Sequence, residues 1–173
     1  MASTPKRADP SQVIVEIMAL LDKVSEKFEP EYGETRQWMA DHSGNPKITK
    51  ILFDSSPTML RVLNAVGQLE PVNGITISRQ FHIPKGSVSK TTRKLIAQKL
   101  IKKESRPNNK KEMLFRLTPL GRELFEVHRA FDQQMERGFV RFLQRYEADQ
   151  LQLVVRVLQD SIDTSFLDLG AQP

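Results

Sequence analysis

The residues of this chain best suited to a chemical task are lysines and arginines concentrated between positions 75 and 112. This segment has two acids and eleven basic residues, a net charge of +9: Arg79, Lys85, Lys90, Arg93, Lys94, Lys99, Lys102, Lys103, Arg106, Lys110 and Lys111. The rest of the chain has 15 basic and 19 acidic residues, a net charge of −4. Basic side chains gathered in one segment bind nucleic-acid phosphates, whereas a solvated surface usually carries both signs. We therefore predict a nucleic-acid-binding module within a mildly acidic protein.

Residues 86–99 predict a helix that enters the major groove of DNA. Helical spacing places two sets of side chains on opposite faces: Ser87, Lys90, Thr91 and Lys94 on one, and Val88, Thr92, Leu95 and Ile96 on the other. Small polar residues let the backbone approach base edges, and lysines reach the flanking phosphates. The DNA contacts predicted from this region are Lys85, Ser87, Ser89, Lys90, Thr91 and Lys94.

A β-hairpin with a cationic tip is predicted after this helix. Residues 100–105 and 113–118 predict two strands, the second with alternating apolar residues, and Pro107–Lys111 predicts the turn between them. The tip, residues 105–112, is suited to contacts with the DNA backbone or minor groove. The predicted contact residues are Arg106, Asn108, Asn109, Lys110 and Lys111.

These elements must be positioned by the helices before and after them. A helix from Ser55-Ser56-Pro57 to about Leu69, an extended piece at 75–76, a short helix at 77–82 and a turn at 83–86 precede the helix 86–99. Two helices joined by a tight turn and followed by a hairpin form a winged helix-turn-helix. Flanking helices are predicted at 10–28, 34–42, 120–145 and 150–167, the third opened by Pro119 after the N-cap candidate Thr118. Pro71 and Gly74 are taken to end the helix that begins at Pro57, and Pro30, Gly33, Gly44 and Pro46 are taken as breakers of regular structure. The predicted fold class is therefore mainly α (α+β).

Five regions follow from this order. They are a flexible arm (1–9), an N-terminal helical region (10–54), the winged helix-turn-helix domain (55–118), C-terminal helices (119–168) and a tail (169–173). No apolar run approaches the roughly 20 residues of a membrane span, and the N-terminal residues lack the apolar part of a signal peptide. We therefore expect a cytoplasmic protein, associated with the bacterial nucleoid and not with a membrane.

Residues 77–124 resemble the MarR family of bacterial transcription regulators. The matching motifs are Ser-Val-Ser-Lys (87–90), Leu-Ile-Lys-Lys (100–103) and Leu-Thr-Pro-Leu-Gly-Arg-Glu-Leu (117–124). The helix that begins at Pro57 and the two C-terminal helices fit the family's layout more loosely. The resemblance implies a homodimer built from the first and last helices, and a two-fold dimer would read an inverted repeat in double-stranded DNA. It thus implies dimerisation by the helices of the second and fourth regions (10–54 and 119–168) and effector binding in the second.

Three features of the sequence depart from the pattern of the family. Lys99 stands where the family usually has glycine, so it must adopt a left-handed conformation or the helix must end differently. Asn109 and Lys111 stand where the family wing often carries an Asp-x-Arg pair, in a shorter loop, so wing contacts could be limited to phosphates. Pro84 replaces a usual serine cap of the recognition helix.

The aromatic and aliphatic content of the C-terminal helices supports a dimer independently of the resemblance. On a monomer, seven residues would leave large apolar patches, unless they closed a single intramolecular core: Phe125, Phe131, Phe139, Phe142, Val154, Leu158 and Phe166. A small-molecule effector could bind a pocket lined by Tyr32, Trp38, Met39, His42 and Phe53, although packing is the commoner role for such residues.

Enzymatic and metal-dependent functions find little support in the sequence. The chain has no cysteine, which excludes a thiol nucleophile, a thiolate metal site and thiol-based oxidant sensing. His42, His82 and His128 are the three histidines, and His128 with Asp132 is a weak match to metal-ligand spacing. We expect no cofactor or metal, and packing or surface roles for the histidines, with His82 packed at a helix end.

Two functions of different class therefore remain open. The first is a dimeric, sequence-specific regulator that represses by covering promoter DNA, with a small ligand able to relieve it. The second is an architectural or replication-linked winged-helix DNA-binding protein without ligand control. Sequence preference discriminates between them, because an architectural protein binds DNA with little preference.

Overall fold

The structure of the protein is a computed structural model that describes residues 10–28, 32–106 and 109–166. Within these ranges, the side chains of residues 25–28, 32, 106 and 109–112 are not described. The predicted arm (1–9) and tail (169–173) lie outside the described residues. The chain divides into two compact units, residues 1–129 and 130–173, and α7 contributes to both. The elements are α1 (Pro10–Phe28), α2 (Tyr32–Ser43), α3 (Pro46–Asp54), α4 (Pro57–Leu69), α5 (Gly74–Gln80), α6 (Lys85–Ala97), β1 (Ile101–Arg106), β2 (Asn109–Leu117), α7 (Pro119–Leu143) and α8 (Ala148–Asp163).

Helix α4 begins where its capping residues predict. The Ser56 hydroxyl accepts a hydrogen bond from the Met59 amide at 3.3 Å, and Pro57 occupies the first helical position. A side-chain acceptor at this place satisfies one of the amides that a helix start leaves unpaired, and proline loses nothing there. The helix buries Met59, Leu60, Val62, Leu63, Ala65 and Val66. It is therefore the central core helix of the first unit.

Helix α5 begins earlier than predicted. Ile75 and Thr76 were expected to be extended, but they lie in the first turn of α5, which is capped by the Asn73 side chain accepting from the Thr76 amide at 2.8 Å. The extended residue is Val72, which pairs with Phe115 of β2. The prediction was wrong because Gly74 was taken as a helix terminator, whereas Asn73 supplies a start signal immediately before it.

The turn between α5 and α6 is closed by short-range hydrogen bonds. The Ser78 hydroxyl donates to the Ile83 carbonyl at 2.7 Å, and the Ile83 amide donates to the Ser78 carbonyl at 3.1 Å. Arg61 of α4 donates to the Phe81 carbonyl at 2.9 Å. His82 is exposed and has a positive φ of 51°, so its predicted packing role is wrong. It supplies the left-handed residue that reverses the chain.

The second strand of the hairpin is longer than predicted. Strands β1 and β2 are antiparallel, pairing Ile101 with Leu117 and, after an irregularity between Ser105 and Arg106, Arg106 with Asn109. Residues 109–111 belong to β2, although they were predicted as turn. The polar composition of this tip resembles a loop, but backbone pairing does not require apolar side chains.

The wing is joined to α7 through contacts of Thr118 and Gly121 at the start of the helix. The Thr118 hydroxyl donates to the Lys99 carbonyl at 2.6 Å and accepts from the Gly121 amide at 3.0 Å, so Thr118 caps α7 as expected. The Thr118 amide donates to the Leu100 carbonyl at 3.0 Å. A Cβ atom on Gly121 would lie 1.8 Å from that carbonyl oxygen. The junction therefore requires glycine for close backbone contact.

Lys99 takes the left-handed conformation that its position requires, with a φ of 58°. A residue with a Cβ is strained in this region, whereas glycine is not. We expect Lys99→Gly to raise the free energy of unfolding by about 1 kcal/mol, measured by urea denaturation. The Lys99 carbonyl still accepts the Thr118 bond in this variant. Lys103→Gly is the matched control, since Lys103 is an exposed lysine within β1, and it should lower stability instead. A lower stability for Lys99→Gly would contradict the strain at this position.

The segment between α1 and α4 contains two helices, where a single short one at 34–42 was predicted. Helix α2 spans Tyr32–Ser43, and α3, which was not predicted, spans Pro46–Asp54. Met39, Ile48 and Leu52 are fully buried, so both helices contribute to the core of the first unit. A turn at 43–45 joins them, with Gly44 at a φ of 60°.

Helix α1, the second half of α7 and α8 expose apolar surface. On α1 these residues are Val13, Ile14, Val15, Ile17, Met18, Leu20, Leu21 and Val24. On α7 and α8 they are Met135, Phe139, Val140, Phe142, Leu153, Val154, Val155, Val157, Leu158 and Ile162. Phe125 was predicted among them, but it is buried in the first unit, 7% exposed. Among the described helices, none is long and apolar enough to cross a membrane.

Candidate nucleic-acid interface

Helix α6 has a cationic face that is open to solvent. Its exposed residues are Lys85, Gly86, Ser89, Lys90, Arg93, Lys94 and Ala97. No acid occurs in the helix. Pro84 stands at the N-cap without a side-chain bond, and its carbonyl accepts from the Val88 amide at 3.0 Å. The open N-terminal turn leaves small residues at the point where the helix backbone can come close to a ligand.

The opposite side of α6 packs on the core, and it includes one residue predicted to contact DNA. Val88, Thr91, Thr92 and Leu95 are buried, whereas Ile96 is half-buried. Thr91 is 7% exposed, so its placement on the exposed face with Lys90 and Lys94 was wrong. Helical spacing fixes which residues share a face, but the contact of α6 with α4 and α5 sets how the helix is rotated.

Arg93 belongs to the exposed face and was not predicted as a contact residue. Its Nε donates to the Ser89 carbonyl at 3.2 Å, one turn earlier. The spacing of four residues from Ser89, a predicted contact, was the signal that could have identified it. Ser87 is half-buried, while Lys85, Ser89, Lys90 and Lys94 are exposed as predicted. The exposed face is therefore Ser89, Lys90, Arg93 and Lys94, with Lys85 at the start of the helix.

The wing carries an ion-pair cluster below its tip. The Lys102 Nζ lies 2.8 Å from Glu104 Oε1, and the Arg116 Nε lies 2.9 Å from Glu104 Oε2. The hydrogen bond from Lys102 lowers the pKa of Glu104 below its ordinary value; the bond from Arg116 adds to this, and desolvation partly opposes it. These side chains are 38–57% exposed, so the pairs contribute little stability. They orient two cations across both strands of the wing.

Of the predicted tip residues, Arg106, Asn109, Lys110 and Lys111 lie on the two strands, and their side chains are not described. Asn108 lies outside the described residues. Strand pairing of Arg106 with Asn109 brings the ends of the wing together. The role of these five residues stays a prediction.

The residues predicted to line an effector pocket occupy different environments. Trp38 and His42 stack with ring centroids 3.8 Å apart, and the His42 Nδ1 donates to the Trp38 carbonyl at 2.7 Å. Met39 is fully buried, whereas Phe53 of α3 is 49% exposed. The side chain of Tyr32 is not described. The structure thus joins Trp38 with His42 and places Met39 in the core, and Phe53 faces solvent.

The described residues contain no group of three histidine or acidic side chains that could hold a metal ion. His128 is half-buried and Asp132 is exposed, on the first and second unit respectively.

Comparison with known proteins gives two curated relatives from Bacillus subtilis (strain 168). Residues 57–121 match the family model of a winged helix DNA-binding domain. The uncharacterized HTH-type transcriptional regulator YhjH is 30% identical over 129 residues, 75% of this chain and 70% of YhjH. The HTH-type transcriptional regulator PchR is 32% identical over 107 residues, 62% of this chain and 63% of PchR. The chain therefore spans less than two thirds of the length of PchR.

The fold is also similar to that of solved regulators. The structure of Staphylococcus aureus MarR in complex with salicylate and kanamycin has a TM-score of 0.58 and 21% sequence identity. The match covers 88% of this chain and 94% of MarR. It spans helices on both sides of the winged helix-turn-helix, and the relatives are DNA-binding regulators, not enzymes. The similarity to these regulators and the cationic face of α6 indicate the same family. The chain belongs to the MarR-type family of winged helix-turn-helix transcriptional regulators.

Proposed function

We propose that this protein is a dimeric, sequence-specific repressor that reads an inverted-repeat operator. Helix α6 enters the major groove of each half-site. The tip of the wing, residues 105–112, contacts the DNA backbone or the minor groove. The observation that carries the proposal is the acid-free exposed face of Ser89, Lys90, Arg93 and Lys94 beside the cationic wing. Short polar groups next to long cations allow base and phosphate contacts on one surface. The cytoplasm, where the nucleoid lies, is the proposed location.

A homodimer is supported by the apolar residues that α1, α7 and α8 expose. Leu158 and Val154 of α8 are 56% and 51% exposed, and Ile17 and Met18 of α1 are 50% and 64% exposed. Surfaces of this kind on several helices exceed what a monomer usually presents to water. A two-fold dimer would set the two α6 helices about one DNA turn apart, roughly 34 Å.

Repression by occlusion is the proposed mode of action, because a dimer bound across an inverted repeat covers the promoter DNA between and around its half-sites. A small-molecule effector is part of the proposal. The neighbouring structure of Staphylococcus aureus MarR holds salicylate. An aromatic ligand of that class could contact the stacked Trp38 and His42 rings, which are the part of the predicted pocket that the structure brings together.

The test is selection of random duplex DNA by the purified protein at physiological salt. Recovery of an inverted repeat with half-sites about one turn apart supports the regulator. DNA binding without a recovered motif would instead favour the second candidate, an architectural or replication-linked binder. Addition of salicylate to the selected complex then tests ligand control, because an effector must bind the DNA-free state more tightly.

The two parts of the interface should respond differently to alanine. Lys111→Ala should weaken binding about equally on all DNA and reduce the slope of log affinity against log salt by about one unit. Lys90→Ala should reduce the free-energy preference for one base over the others at a single position of the site, by roughly 1–3 kcal/mol. Both are measured by titrations on selected and random duplexes at several salt concentrations. Lys50→Ala, an exposed lysine on α3, is the control. Equal losses on both duplexes for Lys90→Ala would contradict base reading by α6.

A further inference from the structure

The first turn of α7 receives polar contacts from two places far apart in the chain. Arg122 forms an ion pair with Glu70, at the end of α4, and the other Glu70 oxygen accepts from the Leu117 amide at 2.6 Å. Glu123 accepts two hydrogen bonds from the Asn45 side-chain amide, at 2.9 Å and 2.8 Å. Asn45 lies in the turn between α2 and α3, 78 residues earlier in the sequence.

The two contacts differ in where their partners belong. Glu70 lies within residues 57–121, the matched DNA-binding domain, and its partner Arg122 is the first residue after that domain. Asn45 lies outside it, in the helical pair α2–α3. The Asn45–Glu123 contact therefore ties α2–α3 to the helix that follows the wing.

Asn45 performs a second task with the other end of its amide. Its Oδ1 accepts from the Lys47 amide at 3.0 Å and caps α3, while its Nδ2 donates to Glu123. The turn that holds it is ordered by Ser43, whose hydroxyl donates to the Ala40 carbonyl at 3.1 Å and accepts from the Asn45 amide at 3.4 Å. Asn45 and Glu123 are both half-buried. A hydrogen bond to a carboxylate in this setting is stronger than one between neutral groups.

We propose that Asn45 and Glu123 are positioning residues for DNA binding, through which the α2–α3 pair sets the placement of the wing. Glu123 is five residues after Thr118, whose hydroxyl and amide bind the end of α6 and the start of β1 through the Lys99 and Leu100 carbonyls. The start of α7 cannot shift without moving Thr118, and Gly121 lies directly against the Leu100 carbonyl. A displacement of α2–α3 would therefore move the start of α7 and, through Thr118 and Gly121, the start of the wing.

The inference rests on DNA binding by α6 and the wing, as proposed above. It also gives the segment between α1 and α4 a task beyond packing. A ligand that changed the α2–α3 turn would alter DNA affinity without touching the DNA-binding domain. For such coupling between sites, the wing must have two arrangements, and the Asn45–Glu123 contact must favour one of them.

Two substitutions of Asn45 separate the contact from the cap. Asn45→Ser keeps a good N-cap and the net charge but removes the Nδ2 donor. Asn45→Asp also keeps the cap, yet it sets a carboxylate against Glu123. We expect Asn45→Ser to weaken DNA binding about 5-fold, and Asn45→Asp more, on both selected and random duplexes. Affinities are measured by fluorescence anisotropy at 25 °C, where thermal melts show each variant fully folded.

The combination Asn45→Asp with Glu123→Gln should restore binding to within about 2-fold of wild type, because the amide and the carboxylate exchange places. Glu126→Gln removes the same charge one turn later, where Glu126 pairs with Arg129, and it is the matched control with unchanged affinity expected.

Three outcomes would overturn the proposal. They are unchanged affinity in Asn45→Ser, unchanged affinity in Asn45→Asp, and a double variant as weak as Asn45→Asp alone. A purely structural role would lower melting temperatures while leaving the DNA affinity of the folded protein intact. The proposed regulator fails separately, if wild-type protein shows no preference for any selected duplex.

Discussion

Replacing Gly121 by alanine is expected to destabilise the protein by about 4 kcal/mol or more, among the largest effects of a single methyl group. The added Cβ would lie 1.8 Å from the Leu100 carbonyl oxygen and 2.8 Å from its carbon. These are backbone atoms of the segment that enters β1, so no side-chain rotation relieves the overlap. The same carbonyl accepts from the Thr118 amide, so moving it also breaks the hydrogen bond that joins the start of α7 to the wing.

The prediction is tested by urea denaturation of Gly121→Ala beside Gly138→Ala. Gly138 lies in the same helix, and a Cβ there would have no atom within 4 Å. Alanine has the higher helix propensity, so Gly138→Ala should stabilise the protein by up to about 1 kcal/mol. Equal stability of the two variants would show that α7 can separate from β1 at little cost.

Gly67 of α4 provides an intermediate case, where the neighbouring atoms belong to a side chain of α7. A Cβ on Gly67 would lie 2.4 Å from the Phe125 ring, a side chain that can rotate or shift. The contrast with Gly121 explains why glycine in a motif such as Leu-Thr-Pro-Leu-Gly carries structural information. A glycine against backbone is required by geometry, whereas one against a side chain can be accommodated by repacking.

Local signals in the sequence were sufficient where they concern neighbouring residues. Ser56 and Pro57 predicted the start of α4, and Thr118 and Pro119 predicted that of α7, because a cap needs a partner only three residues away. The left-handed conformation expected for Lys99 is present for the same reason. Each of these features depends on a single turn of chain.

The same kind of signal was misinterpreted between residues 29 and 54. Gly44 and Pro46 were taken as breakers of regular structure, and α3 was missed. In the structure, Gly44 reverses the chain after α2, Asn45 caps α3 and Pro46 occupies its first turn. Glycine after one helix and proline at the start of the next act as stop and start signals. The same residue types are common in loops, and only the burial of Ile48 and Leu52 in the core shows that a helix lies between residues 46 and 54.

The candidate interface was predictable in composition but not in rotation or in long-range contacts. The charge of α6 and the wing is readable from the sequence. The burial of Thr91 and the exposure of Arg93 depend on how α6 packs against α4 and α5. The Asn45–Glu123 contact joins residues 78 apart, which no periodicity relates. Packing between elements therefore determines which side chains of a helix are exposed and which distant residues meet. Spacing within one element determines neither.

Replacing Leu158 by aspartate should convert the proposed dimer to a monomer and lower operator affinity 100-fold or more. Leu158 lies in the middle of α8, 56% exposed among Val154, Val155 and Ile162. A charge in the centre of an apolar interface loses its hydration without gaining a partner. Two linked recognition helices bind far more tightly than one, since the second contact is intramolecular, with gains of about 10²–10⁴.

Analytical ultracentrifugation gives the oligomeric state, and titration on a full operator and on a single half-site gives the two affinities. Gln159→Asp adds the same charge to the adjacent residue, an exposed polar position on α8, and it should remain dimeric. Leu158→Asp should lose affinity for the full operator and keep that for the half-site, because α6 and the wing lie in the other compact unit. Equal losses on both duplexes would mean that α8 supports the fold of the DNA-binding unit. A dimer that survived the charge would place the interface away from α8 and direct attention to α1, whose apolar face is equally exposed.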